Sequence, residues 1–391
     1  MNFKTKEMVF SPIKAIQEEA QKRGAISLAQ GIPKFLPPQK VREAAVAAIL
    51  SGKADFYGPP RGLEELRQQI SQFHLNTEKA FYDPSHEILV TAGALQALSV
   101  ALATLFSPGE ELLVLTPSYF PFLNLPKIFG IRPVYVSLRA PDWRLDLTAL
   151  KKAITPKTRA ILLCHPNNPT GTIYSRQEIS QILKIAAEHN LWVLVDEVYR
   201  FFTYGDAYTS LGDFSDYKDR LIRLMSFSKA FSLSGWRVGY LLGSSKVIKE
   251  LIKVHEMMTT AAASLPAQYA ALTALADPSI AYNFGQILRA RRQRMRKRLQ
   301  KFSDYFTAPE PSGAYYFFVK LKKEGDDQAF SERLLKEAGV AVVPGSTFGE
   351  AGKGYLRLSF AATEGEIDEA FSRLEIYLLP QLTLIPLVKN A

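Results

Sequence analysis

Lys229 is bracketed by Ser226, Ser228 and Ser232 and followed eight residues later by Arg237. An apolar run, Leu221 to Met225, precedes this stretch and another, Tyr240 to Leu242, follows it. Both read as buried strands. A lysine on a short, hydroxyl-rich loop between buried strands loses part of its hydration, which lowers its pKa and frees the amine as a nucleophile. Hydroxyl donors beside a forked guanidinium suit a phosphate. A nucleophilic lysine next to a phosphate cradle points to an aldehyde cofactor that carries a phosphate, and pyridoxal 5′-phosphate fits.

Other strand ends carry matching chemistry. Leu191 to Val195 is apolar throughout, as in a central strand, and delivers Asp196 and Tyr199. A carboxylate ending a buried strand is costly unless paired, and a protonated pyridine nitrogen would pair it. The strand Ala160 to Cys164 runs into His165-Pro166-Asn167-Asn168-Pro169-Thr170-Gly171, a rigid loop at a carboxyl strand end, where ligands of open α/β sheets bind. His165 reads as a polar strand-end residue rather than a general base. The strand Glu87 to Thr91 leads through Ala92 into a helix, whose first amides at Gly93, Ala94 and Leu95 offer an anion site. Thr116-Pro117-Ser118-Tyr119 follows the strand Glu111 to Leu115 directly.

The elements that must position these residues alternate. Strands and helices succeed one another from Glu87 to Leu242, giving an α/β fold with a mainly parallel sheet covered on both faces. Ahead of them stand helices at Pro12 to Arg23, Val41 to Leu50 and Glu64 to Phe73. After them a long basic helical stretch runs from about Ser279 to Phe306, and its run Arg289 to Arg298 reads as a solvated face. A smaller α/β unit follows: strand Ala314 to Val319, helix Gln328 to Ala338, strand Val340 to Val343, and strand Gly354 to Phe360. The apolar tail Tyr377 to Val388, broken by Pro380 and Pro386, is expected to lie against the body.

The stretch Ser226 to Gly239 resembles the cofactor-lysine signature of class I/II aminotransferases, the aspartate-aminotransferase-like group of fold type I, and the resemblance extends over nearly the whole chain. It implies a large cofactor-binding domain at 40–280, with a sheet of the seven-stranded type, and a smaller domain built from 1–39 and 281–391. It implies a homodimer with shared sites, in which Tyr57 reaches the neighbouring subunit's cofactor phosphate. Tyr119 would stack on the pyridine ring. Asn168 and Tyr199 would bond its phenolic oxygen, and Asp196 its ring nitrogen. Gly93, Ala94, Leu95, Ser226, Ser228 and Arg237 would hold the phosphate. Gly31 and Asn168 would lie beside the substrate carboxylate, and Arg357 would grip it through a two-pronged pair. Where the family usually has an acidic residue after the proline that follows Gly31, this chain has Lys34.

The implied reaction is ping-pong transamination between an L-amino acid and a 2-oxo acid. Lys229 would bind the cofactor and then carry a proton as base and acid. Relatives that take acidic amino acids often have a lysine at the position of Leu95. That position and the segment Val9-Phe10 to Ile13 are apolar here, so uncharged, aromatic or methionine-like side chains are expected. A carbon–sulfur β-lyase on the same fold and an aspartate aminotransferase are the alternatives. A cofactor-sensing transcription regulator would carry a DNA-binding domain ahead of the core, which here begins almost at residue 1.

Composition sets the frame. The 391 residues are 47% hydrophobic and 22% charged, enough apolar content for a large core. The net charge of +10 could suit nucleic acid, but no recognised nucleic-acid module is present, and a Lys-rich surface with a site that takes phosphate and carboxylates suits it equally. One cysteine, Cys164, excludes an intrachain disulfide and agrees with a reducing, cytoplasmic setting. Cys164 reads as a core residue. No signal-peptide core, membrane-length apolar run or metal-ligand spacing is found.

Overall fold

The computed structural model describes residues 9–205, 208–323 and 325–379. The tail expected to lie against the body falls, beyond residue 379, outside the described residues.

Seven strands form the main sheet: β1 (Ile88–Thr91), β2 (Glu111–Thr116), β3 (Arg132–Ser137), β4 (Thr158–Cys164), β5 (Trp192–Asp196), β6 (Leu221–Ser226) and β7 (Gly239–Leu242). Their order is β1-β7-β6-β5-β4-β2-β3, with β7 alone antiparallel to its neighbours. The central strand β5 is the apolar run picked out by the sequence. Its register sets Asp196 opposite Cys164 on one side and Leu224 on the other. Both faces of the sheet are covered, which is why β1, β2, β4 and β6 read as near-continuous apolar runs rather than alternating ones.

Local signals place the covering helices. Ser175 caps Arg176–Glu188 in a reciprocal capping box with Glu178, worth about 1 kcal/mol. The helix buries Ile179, Ile182, Leu183 and Ala186 along one face. Thr363 and Glu366 repeat the device at the start of Glu364–Leu378.

A second, antiparallel sheet contains β8 (Phe306–Thr307), β9 (Tyr316–Leu321), β10 (Val343–Pro344) and β11 (Tyr355–Ser359), in the order β10-β11-β9-β8. The single strand expected at Val340 to Val343 is in fact two. Val340–Ala341 pairs in parallel with Ile26–Ser27, and only Val343–Pro344 joins β11. This brings the chain's first segment against its last third.

The basic run is a second correction. The helix ends at Gln300, and only part of its basic run is a solvated face: Arg296 and Lys297 are exposed, while the other arginines are partly or fully buried. Arg294 and Arg298 pair with Asp368, Arg292 and Arg296 with Glu310, and Arg291 is buried, donating to the Ala361 carbonyl at 3.0 Å. Carboxylates and carbonyls from residues 310–375 were too far away in sequence to be read as partners. Among the described residues no helix is long and apolar enough to cross a membrane.

Candidate active site

The carboxyl ends of β1, β2, β4, β5 and β6 converge, and residues just beyond them wall a cavity of about 360 Å³. Lys229 follows β6, not on an open loop as expected but on a helical turn, Phe227–Ala230. The Ser226 hydroxyl starts that turn by accepting the Ser228 amide at 3.1 Å. The turn sends the Lys229 amine across the cavity to the Gly31 carbonyl at 2.8 Å, which also accepts the Tyr315 hydroxyl at 2.8 Å. Gly31 has no room for a side chain, since a Cβ would stand 2.0 Å from the Tyr316 hydroxyl oxygen.

Two ionisable groups are pushed toward neutral pH. Burial lowers the Lys229 amine to about 8, against the opposing pull of Asp196 and with help from Arg357 and Arg237. Burial raises the Asp196 carboxyl to about 7. A bond from the Val198 amide at 3.1 Å and the Lys229 charge oppose that rise, and Glu197 adds to it. Both groups therefore sit close to the proton-exchange range that acid–base chemistry needs.

One end of the cavity is rich in donors. The Arg237 guanidinium gives one bond to the Ala92 carbonyl at 3.1 Å and one to the Ser234 carbonyl at 2.9 Å. The helix Ala94–Leu105 starts beside it at Gly93, whose φ of +88° leads into a first turn with no side-chain cap. A Cβ on Gly93 would also stand 2.8 Å from Arg237, so backbone and guanidinium face one small space. Ser226 and Ser228 stand at the same end, hydroxyl to hydroxyl at 2.9 Å. Uncapped amides, two hydroxyls and an arginine suit a phosphate dianion.

At the other end Arg357, on the inner strand β11, is only 1% exposed. It donates to Asn168 Oδ1 at 3.0 Å and to the Ala29 carbonyl at 2.6 Å, and its Nε has no partner among the described residues. Asn168 in turn donates to the Tyr199 hydroxyl at 3.4 Å, and Tyr199 bonds the Tyr316 hydroxyl at 3.0 Å. A buried guanidinium with an unused N–H and no carboxylate partner among the described residues has capacity for an anionic ligand.

The walls thus bring together Gly31, Ala94, Leu95, Tyr119, Asn168, Asp196, Tyr199, Ser226, Ser228, Lys229, Arg237 and Arg357. Gly93 stands just behind Arg237. Tyr57 does not join them: it is 86% exposed on the surface of this chain. His165 is buried and held near pKa 4 by desolvation, with Nδ1 accepting the Tyr174 amide and Nε2 at the Thr209 carbonyl, so it is no base at the site. Cys164 is buried against the cavity wall with its thiol bonded to the Pro166 carbonyl.

Sequence reading missed Tyr315, which bonds Gly31, and Tyr316 on the cavity wall, both part of the consecutive aromatic run Tyr315 to Phe318 that looks like core, and Lys14, which lies one residue beyond the segment judged apolar. The lining at that wall is therefore mixed rather than apolar throughout. Lys34, the departure noted above, forms a surface ion pair with Glu366 away from the cavity.

A lysine poised for covalent capture, a carboxylate that gains by pairing with a protonated ring nitrogen, and a donor-rich phosphate pocket together fit pyridoxal 5′-phosphate. The fold and this cavity define a pyridoxal-phosphate enzyme of fold type I. Comparison narrows the class. The family model for aminotransferase class I and II matches residues 23–374, and the chain belongs to that family. It is 38% identical to an aspartate aminotransferase of Thermotoga maritima, covering 90% of this chain and 91% of the relative. It is 34% identical to aromatic-amino-acid aminotransferase 2 of Thermococcus litoralis, with the same coverage. The crystal structure of an aromatic aminotransferase from Pyrococcus horikoshii superposes with a TM-score of 0.87 at 34% identity, covering 94% of this chain and 99% of that one. The protein is a pyridoxal-phosphate-dependent aminotransferase.

Proposed function

We propose that this aminotransferase exchanges the amino group of an uncharged, aromatic or methionine-like L-amino acid with a 2-oxo acid in ping-pong fashion. The observation that carries the reading is the meeting of Lys229, Asp196 and Arg357 on one cavity, whose mixed side wall includes the apolar Ile13, Ile32 and Leu95. When bound, the cofactor supplies an electron-accepting ring that stabilises the electron pair released at the substrate Cα. Ser226, Ser228, Arg237 and the amides of Gly93, Ala94 and Leu95 would hold its phosphate. Tyr119 would lie against its ring, Asn168 and Tyr199 would bond its phenolic oxygen, and Asp196 would bond the ring nitrogen. Arg357 would take the substrate carboxylate in a two-pronged grip beside Gly31 and Asn168.

Lys229 would then take the proton from the substrate Cα and return it to the carbon on the far side of the amino nitrogen. Its depressed pKa supports this role, because at neutral pH the amine can both accept and release a proton. The Gly31 carbonyl gives the free amine a resting acceptor inside the cavity.

The active unit in this reading is a cytoplasmic homodimer with shared sites, Tyr57 serving the neighbouring copy. The exposed apolar side chains of Ile49, Leu50, Phe56 and Met257, together with Tyr57, support a covered face. Residues 40–280 would form the large domain, and 1–39 with 281–391 the small one that brings Arg357 and Tyr316.

One observation favours a second reading. Lys14 stands on the cavity wall and could pair with a side-chain carboxylate, as an aspartate aminotransferase requires. The visible spectrum of the purified protein, recorded with single amino acids and no acceptor, tests the whole. Conversion of the cofactor to its aminated form with one equivalent of oxo acid and no ammonia is expected. Multiple turnovers with ammonia release would instead mean a carbon–sulfur lyase. A much higher kcat/KM for aspartate than for phenylalanine or methionine would overturn the substrate preference.

A further inference from the structure

Directly behind the catalytic strand end lies a cluster of buried charges that no step above uses. Residues 196–200 divide between two sides. Asp196 and Tyr199 face the cavity, whereas Glu197 and Arg200 point to the far side, toward the helix Glu64–Glu78. There Glu197 meets Arg223 of β6, with both side chains fully buried. Arg223 has five N–H groups and all five are used. Nε goes to Glu197. Nη1 goes to Glu78 at 2.8 Å and to the Tyr82 hydroxyl at 3.1 Å, and Nη2 to Glu78 at 3.0 Å and to the Ser210 hydroxyl at 2.9 Å. Arg200 closes the set on Glu78 at 3.0 Å. The second oxygen of Glu197 accepts the Tyr208 hydroxyl. Two carboxylates and two guanidiniums thus balance one another.

We infer that Glu197 and Arg223 are positioning residues for the aminotransferase reaction: they clamp the 196–200 turn from behind, so that Asp196 and Tyr199 keep fixed places on the cavity side. This rests on the roles given to Asp196 and Tyr199 under the proposed function. The clamp acts on both residues because each is a neighbour in the chain of a network member. The 197–200 turn itself is closed by the Arg200 amide on the Glu197 carbonyl at 3.1 Å. A misplacement of about 1 Å at such a site costs roughly a hundredfold in rate. The fixed charge of Glu197 also lies next to Asp196 and raises its proton affinity, favouring a strong bond to a protonated ring nitrogen.

The test is a charge-balanced double variant of the holoenzyme, Glu197→Gln with Arg223→Met, which leaves the Glu78–Arg200 pair in place. Replacing both partners of a buried pair is often neutral for stability, so the melting temperature is expected to stay near the parent's. The expected functional result is a fall in kcat of roughly 10- to 100-fold, with KM for the amino acid little changed. The visible circular dichroism of the bound cofactor, which reports its orientation, should weaken as well. Parental kcat and parental dichroism in a folded double variant would overturn the inference. If the double variant does not fold, Tyr208→Phe removes a single hydroxyl from Glu197 and should lower kcat roughly two- to tenfold. An unchanged kcat and spectrum there would overturn it equally. A parent protein with no cofactor band and no turnover would instead sink the proposed function, so the two failures are distinguishable.

Discussion

Two sets of buried charges lie on opposite sides of the strand end at Asp196, and they are built in opposite ways. Behind it, the Glu78–Glu197–Arg200–Arg223 cluster pairs every charge. Burial alone would raise Glu78, yet Arg223, Arg200 and His74 hold it well below the ordinary carboxylate range. Burial would lower Arg223, yet Glu197 and Glu78 hold it well above its usual value. In front of it, Asp196 is buried, Lys229 is partly buried, and both are thinly partnered. Lys229 rests on one carbonyl, and burial prevails in both groups, moving them toward neutrality. A saturated set of charges keeps its protons and fixes geometry. A set left short of partners can exchange protons and accept a ligand.

The largest effect that would sharpen this contrast is on the cavity side. Lys229→Ala should fold normally and lose transamination by roughly 10⁴-fold or more, since it removes both the covalent attachment and the proton carrier. A loss under tenfold in single-turnover assays would remove the lysine from the mechanism.

The network side should respond in stability rather than chemistry alone. Arg223→Met on its own strands Glu78 and Glu197 with too little positive charge, and should cost about 3–5 kcal/mol in denaturant unfolding. A loss within 1 kcal/mol would show that the cluster is not held together by its charges.

Asp196→Asn should lower activity as well but reverse the sign of the stability response. Activity should fall roughly a hundredfold, while the apoprotein becomes more stable above pH 7. The folded carboxyl titrates at about 7 and the unfolded one near the ordinary value of 3.8. Between those values the folded state keeps a proton that the unfolded chain has released, so this group's contribution to stability falls as pH rises through the window. A thermal melt of wild-type and variant apoprotein at pH 5 and pH 8 reads the difference. Equal gaps at both pH values would contradict it.

The smallest effect is kinetic. Capture of added cofactor needs the neutral amine, so its rate constant for the apoprotein should rise with pH and level off above about 8, where Lys229 is already deprotonated. A rate still climbing to pH 10 would place the amine at its ordinary value and erase the contrast.

Much of the cavity was legible before any coordinates, because its residues follow strand ends that local patterns mark. Asp196 follows an apolar run of central-strand character, Asn168 sits in a Pro-Gly loop, and Lys229 and Arg237 share one hydroxyl-rich stretch. Each is a local signal with a stated chemistry. Tyr316 was not legible, since one member of a consecutive aromatic run, Tyr315 to Phe318, looks the same whether it fills a core or bonds Tyr199. Lys14 was missed because the wall it joins is created only when the first helix meets the cavity. The split of Val340 to Val343 between two sheets was hidden for a similar reason: four apolar residues do not say which neighbours they will pair with.

By itself, then, the sequence determined the alternating α/β order, the apolar central strand, and the residues that end its parallel strands. These depend on periodicities of a few residues and on the chemistry of single side chains. The tertiary structure decided which distant groups share a dry space. Arg223 and Glu78 are 145 residues apart, and Arg357 meets Ala29 across 328. Whether a buried charge ends up saturated, as Arg223 is, or left with an open N–H, as Arg357 is, depends on those long-range partners, and no local pattern encodes them.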